Sequence, residues 1–101
     1  MKRTKTMIYK QTIESRELFL YATNDGDIYR QQITPAINSL RKKAIKGTYD
    51  QNKSINLFYY IATAASDKYK KDFGYSFSVG DRFTAAADMV DYYKDEIFYN
   101  L

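Results

Sequence analysis

Residues 50–74 read DQNKSINLFYYIATAASDKYKKDFG, and this stretch carries the strongest helix pattern in the chain. Asp50 is a natural N-cap and Gly74 a natural C-terminal stop, so the pattern predicts one helix from Gln51 to about Phe73. Leu57, Ile61 and Ala64 widen its apolar face, which is typical of a central helix contacted from two sides. The main stripe recurs at spacings of three and four residues: Ile55, Phe58, Ala62, Ala65 and Tyr69.

Two helices are predicted before this one. Ser15 is the expected cap of a helix over residues 16–23, and residues 24–27 (NDGD) form a turn with an N-cap, since the register of a calcium-binding loop is absent. A second helix follows from Asp27 to Lys46. At Pro35 it either kinks or restarts with Thr34 as N-cap, and Gly47 ends it.

A fourth helix begins at Ser78 or Asp81 and reaches roughly Tyr99. The sequence therefore predicts one domain over residues 1–101, with residues 1–12 as an N-terminal arm. The fold class is all-α, a compact bundle of about four helices with short turns containing Gly and Asp. The predicted inner face of the fourth helix comprises Val79, Phe83, Ala86, Val90, Tyr93 and Ile97.

The 101 residues include neither histidine nor cysteine. This excludes Cys/His zinc sites, Ser-His-Asp and Cys-His catalytic arrangements, and disulfide-stapled secreted domains. Carboxylate sites for Mg²⁺ or Ca²⁺ and Lys, Tyr or Glu chemistry stay open, but no spacing favours them. We therefore expect no catalytic residue, no metal and no cofactor.

Four basic residues cluster near the end of the second helix: Arg41, Lys42, Lys43 and Lys46. One interpretation is that they complement the negative end of the helix dipole. The other is that they neutralise phosphates, as sequence-tolerant and salt-sensitive nucleic-acid binding requires. The formal net charge of +4 is modest, and residues 51–101 hold six Lys/Arg against seven Asp/Glu.

Aromatic residues are abundant, with eleven tyrosines and six phenylalanines. Most are expected in the core. Successive residues on a helix are about 100° apart, so the two tyrosines of each adjacent pair, 59–60 and 92–93, cannot both face inward. Tyr60 and Tyr92 are the outward candidates for protein contact. Phe98 and Leu101 are further candidates, and they are expected to dock on the domain itself or on a second copy, which would form a homodimer.

Several stretches are distinctive in combination: NDGDIYRQQI (24–33), NSLRKKAIKGTYD (38–50), LFYY (57–60) and AASDKY (64–69), with Arg82 and Phe83. Together they resemble a group of short uncharacterised proteins of tailed bacteriophages. That group has no established activity or functional residues, so none is carried over. The resemblance implies a phage origin and a setting in the bacterial host cell.

These observations lead to an expected function. The chain is predicted to be a non-enzymatic phage accessory protein that acts by binding a host or phage protein in the cytoplasm. The alternative is sequence-tolerant nucleic-acid binding through the basic cluster at residues 41–46. No run approaches the roughly 18 apolar residues of a membrane span, and no apolar signal segment follows the basic residues 1–5, so we expect no membrane partner.

Overall fold

Helices account for the regular structure of residues 10–101, which are the residues that the computed structural model describes. The predicted all-α bundle with four long helices is confirmed. Of the predicted N-terminal arm, residues 1–12, residues 1–9 lie outside the described part of the chain. The elements in chain order are α1 (Ile13–Asn24), α2 (Gly26–Ile28), a π turn (Tyr29–Ile33), α3 (Thr34–Lys46), α4 (Gln51–Phe73), α5 (Val79–Tyr92) and α6 (Lys94–Ile97).

Both caps of α4, the end of α3 and the start of α5 follow the sequence signals. Asp50 Oδ1 accepts a hydrogen bond of 2.9 Å from the backbone amide three residues on, at the start of α4. Ser78 Oγ accepts from the Asp81 amide at 3.0 Å, which makes Ser78 the N-cap of α5. Gly47 and Gly74 end α3 and α4 with φ of 78° and 77°. That left-handed conformation is strained for residues with a Cβ, so both caps require glycine.

The start of α1 differs from the prediction, because Thr12 and not Ser15 is the N-cap. Thr12 Oγ1 accepts from the Ser15 amide and Ser15 Oγ from the Thr12 amide, both at 2.9 Å. This reciprocal arrangement satisfies two free amides at once. Thr12 Oγ1 also donates to Asp81 Oδ1 at 2.9 Å, so the first turn of α1 is tied to α5.

A π turn accommodates Pro35. The restart with Thr34 as N-cap is wrong, since Thr34 is itself helical and its amide donates to the Tyr29 carbonyl, five residues earlier. Proline has no N–H, and its ring clashes with the carbonyl four residues earlier in a regular α-helix, which the wider turn avoids. The extra residue also sets the spacing of Ile28 and Ile33, which are both buried.

The last predicted helix is two helices. Tyr93 separates α5 from α6 because its backbone has φ −93° and ψ 7°, outside the helical region. The change of direction brings α6 against α3 while Tyr93 and Ile97 stay buried. Val79, predicted on the inner face, is 53% exposed because it occupies the first position of α5.

Three helices, α1, α4 and α5, pack against one another and supply the centre of the core, with Leu18, Phe58 and Met89 fully buried. α3 adds Ile37 and Leu40 to that core. However, α3 packs mainly against the π turn and α6, and it touches α4 over a short stretch only. α3 and α4 are therefore parted along one side of the bundle.

Candidate functional site

The residues of the predicted basic cluster lie on two different sides of α3. Arg41 is partly buried, and its Nη1 donates to the carbonyl oxygens of Glu96 and Ile97 at 3.3 and 3.4 Å. Its guanidinium carbon lies 5.8 Å from the centre of the Tyr99 ring. Carbonyls at a helix end lack partners within the helix, so Arg41 satisfies two of them in α6. Arg41 thus belongs to the anchorage of the C-terminal segment.

The three lysines of the cluster lie on a different side of α3 from Arg41. Lys42, Lys43 and Lys46 are all exposed. Residues at spacings of four, three and four share one side of a helix, which places Lys42 and Lys46 in line with Pro35 and Ser39. Lys43 lies next to that line. The lysines therefore continue the flank of α3 that faces the opening towards α4.

The opening between α3 and α4 forms a groove of about 340 Å³. Its floor is apolar, with Ala36 and Ile61 only 5% and 4% exposed. Gln32 comes from the π turn, so the local widening at Pro35 helps to form one wall. Within residues 10–101, the lining is Gln32, Pro35, Ala36, Ser39, Leu57, Tyr60 and Ile61.

Tyr60 forms the prominent edge of the groove on α4 and is 71% exposed. Lys53 and Leu57 precede it at spacings of seven and three, and therefore share its side of the helix. Residues 47–50 join α3 to α4, so Lys53 lies at the same end of the groove as Lys46. We call Lys42, Lys43, Lys46 and Lys53 the lysine end of the groove.

The stretch of chain that contains this groove is rich in positive charge. Residues 31–66 hold five Lys/Arg and one acidic residue, Asp50, which equals the formal net charge of +4 for the whole chain. Ion pairs within residues 10–101 join Arg30 to Asp27 at 2.8 Å and Lys68 to Asp25 at 2.7 Å. No residue of the lysine end has a carboxylate within 4.0 Å in that part of the chain. Its positive charge is therefore available to a partner.

The predicted turn at residues 24–27 is confirmed as a cap. Asp25 Oδ1 accepts from the amides of Asp27 and Ile28, each at 3.0 Å, and Oδ2 accepts from Lys68 Nζ. The hydrogen bond from Lys68 holds the pKa of Asp25 below its ordinary value and raises the pKa of Lys68. Among residues 10–101, no group of three or more Asp, Glu, His or Cys side chains is placed to hold a metal ion.

Among residues 10–101, three tyrosines have pKa values above the ordinary one. Burial raises the pKa of Tyr93 to about 12. Burial also raises the pKa of Tyr21 and Tyr69, and the neighbouring carboxylates Asp72 and Glu17 add to the effect. A phenol that acts as a general base needs a pKa nearer to neutrality. The pKa values of these three phenols are raised, and therefore lie further from neutrality than that of an ordinary tyrosine.

The four predicted protein-contact residues do not converge on one surface. Tyr60 and Tyr92 are outward, as predicted, with 71% and 63% of their surface exposed, but Tyr92 rests edge-on against Phe19 with the ring centres 5.4 Å apart. Phe98 packs against Tyr49 of this chain at 4.8 Å. Leu101 is 58% exposed at the end of the chain. Of the four, Tyr60 is the one that lines the groove, and the role of all four as contacts stays a prediction.

A second recess, of about 390 Å³, lies on the far side of α3 and is lined by Arg41, Asp95, Glu96 and Tyr99. It follows directly from the way Arg41 holds α6. Its two carboxylates and one guanidinium leave it without an excess of positive charge. It is therefore separate in chemistry from the groove between α3 and α4.

The groove itself was not predicted from the sequence. Gln32, Pro35, Ser39 and Leu57 carried no signal of a site, and Lys53 was not grouped with the basic cluster. A usable signal did exist, since a stretch of 36 residues with a single acidic residue spans the hairpin of α3 and α4. The opening between the helices depends on tertiary packing, which helix periodicity does not report.

Comparisons with known proteins give no relative, since no family model, curated protein or solved structure matches the chain. Within residues 10–101, none of the helices combines the length and the apolar character that crossing a membrane requires.

Proposed function

We propose that this chain is a non-enzymatic phage accessory protein that binds another protein, from host or phage, in the cytoplasm of the bacterial host. The recognition surface is the groove between α3 and α4. The observation that carries the proposal is the position of Tyr60, which exposes 71% of its surface beside an apolar floor formed by Ala36, Leu57 and Ile61. The phage setting rests on the sequence resemblance.

The physical basis is the free energy of burying this surface. A large aromatic side chain that a partner covers next to an apolar pocket is a typical hot spot, and its truncation commonly costs about 2 kcal/mol or more of binding. Tyrosine also keeps a hydroxyl for a polar contact at the rim. A π turn borders the groove, and such turns occur frequently at functional sites.

The second candidate function is sequence-tolerant nucleic-acid binding by Lys42, Lys43 and Lys46. The observation in its favour is that all three are exposed and lie on one flank of α3. Arg41 is engaged with α6, so it is not free to reach a phosphate. If this candidate holds, the logarithm of affinity falls steeply with the logarithm of salt concentration. A slope near zero would reject it.

Site-specific photo-crosslinking tests the proposed function. The full chain carries a photoreactive phenylalanine analogue at position 60, and the matched control carries it at Tyr99, which is 65% exposed on the other side of α3. Both are incubated with a lysate of phage-infected bacteria and irradiated. We expect one discrete protein adduct from position 60 and none from position 99. Equal labelling from both positions, or nucleic-acid adducts alone from position 60, would overturn the proposal.

A further inference from the structure

The groove is polarised along its length. Its lining runs from Gln32 and Tyr60 to Ser39 and Leu57, and the lysine end lies beyond Ser39 on the same flank, about one to two helical turns further along α3. The distance along α3 from Gln32 to Lys46 corresponds to roughly 21 Å at 1.5 Å per residue. An occupant that uses the whole groove therefore meets an apolar surface first and positive charge last.

We propose that the partner segment is an acidic amphipathic helix of roughly 14 residues. This inference rests on the proposed function and specifies its partner. The apolar face of the helix covers Leu57, Tyr60 and the floor of the groove, with anchors at positions i, i+3 or i+4, and i+7. Its carboxylates lie against the lysine end, where Asp50 is the one acidic residue and is engaged as the N-cap of α4.

A helix suits this groove better than an extended segment does. Both walls of the groove are helices, whose backbone groups are already hydrogen-bonded within α3 and α4. An extended peptide relies on a free strand edge for its main-chain hydrogen bonds, whereas a helix satisfies its own backbone. The floor of Ala36, Leu57 and Ile61 offers apolar contact alone.

The same features favour a protein over a nucleic acid. Single-stranded nucleic acid needs successive aromatic platforms and a basic track along the whole backbone. Here Tyr60 is the one aromatic side chain among residues 10–101 that lines the groove, and the lysines gather beyond one end of it. Apolar residues such as Pro35 and Leu57 give no donor to a phosphate. Opposite charges at one end of an apolar groove instead fix the register and orientation of a helical partner.

A peptide selection tests the inference directly, because it does not require the partner to be identified first. A displayed library of 14-residue peptides with helix-forming frameworks and random face positions is selected against the immobilised full chain. We expect the selected peptides to be enriched in Asp and Glu at one end and in Leu, Ile and Phe at helical spacing. Tyr60→Ala should weaken their binding at least tenfold.

Charge reversal then locates the contact. Lys42→Glu/Lys46→Glu should weaken the selected peptides at least tenfold, and raised salt should weaken binding to the wild type. The matched control is Lys70→Glu/Lys71→Glu, which makes the same charge change on exposed residues at the other end of α4. It should alter the affinity by less than twofold.

The outcomes separate the two proposals. Selected peptides that depend on Tyr60 but lack acidic residues would overturn the acidic partner and leave the groove as the binding site. Failure to select any peptide that depends on Tyr60 would count against the groove itself. Tight binding of a 20-nucleotide single strand that Lys42→Glu/Lys46→Glu abolishes, with peptides unaffected, would replace the protein partner by nucleic acid.

Discussion

Arg41 of α3 lies over the ring of Tyr99, which follows α6, with the guanidinium carbon 5.8 Å from the ring centre. Arg41 also donates hydrogen bonds to the carbonyl oxygens of Glu96 and Ile97, so its guanidinium interacts with groups of its own domain. Lys42, its neighbour in sequence, is exposed on the groove side of α3. Two adjacent basic residues therefore have separable roles, one in stability and one in binding.

This separation gives the first prediction. Arg41→Ala should lower the free energy of unfolding by about 1 kcal/mol, because two hydrogen bonds to carbonyls and a cation–π contact are lost. Amide hydrogen exchange in α6 should rise, while binding at the groove stays unchanged. Lys42→Ala should do the reverse, with weaker binding and stability within about 0.5 kcal/mol of the wild type. Equal effects of both variants on binding would show that the cluster acts as a unit.

Tyr49 gives the second prediction. Its Oη is buried and has no hydrogen-bond partner among residues 10–101, while its ring packs against Phe98. A buried hydroxyl without a partner costs free energy, so Tyr49→Phe should raise the free energy of unfolding by about 1 kcal/mol. Tyr49→Ala is the control and should lower it by about 2 kcal/mol or more, because the ring contact is lost. A Phe variant less stable than the wild type would contradict this account, as measured by denaturant unfolding.

The third prediction concerns alkaline pH. Burial raises the pKa of Tyr93 to about 12 in the folded chain, whereas an unfolded tyrosine titrates near 10. Between these values the unfolded state loses its proton first, so the stabilising contribution is complete below pH 10 and is lost progressively as the pH rises to about 12. The total loss attributable to Tyr93 should be about 2–3 kcal/mol, since each pKa unit corresponds to about 1.4 kcal/mol.

Tyr93→Phe provides the control for this effect. Its stability should fall less steeply than that of the wild type between about pH 10 and 12, because the phenol that titrates late is gone. The absorbance of tyrosinate should show the same group, as the late fraction of the titration becomes smaller by one tyrosine in the variant. Identical slopes for both proteins would indicate that Tyr93 titrates as an exposed phenol does.

The sequence determined the helices where local chemistry decides them. Asp50 and Gly74 fixed both ends of α4, because a cap and a left-handed glycine act within one turn of the chain. The outward placement of Tyr60 and Tyr92 likewise follows from the angle between neighbouring residues. The start of α1 was misplaced because Thr12 and Ser15 both fit a capping position, and the reciprocal bonds of a capping box distinguish them.

Features that depend on contacts between distant parts of the chain were not predicted from the sequence. The π turn that accommodates Pro35 also keeps Ile28 and Ile33 both buried, and that demand comes from the core. The break at Tyr93 exists because α6 packs on α3. The groove forms because α3 leans on α6 instead of lying along α4. Each of these is a tertiary relationship that residue spacing within one helix does not contain.

Amide hydrogen exchange, measured on the full chain with and without the protein captured through position 60, tests whether the groove is the binding site. If the groove between α3 and α4 is the recognition surface, added protection should fall on residues 29–46 and 51–64, while α5 and α6 keep their exchange rates. Protection confined to residues 79–101, with the hairpin of α3 and α4 unchanged, would contradict it.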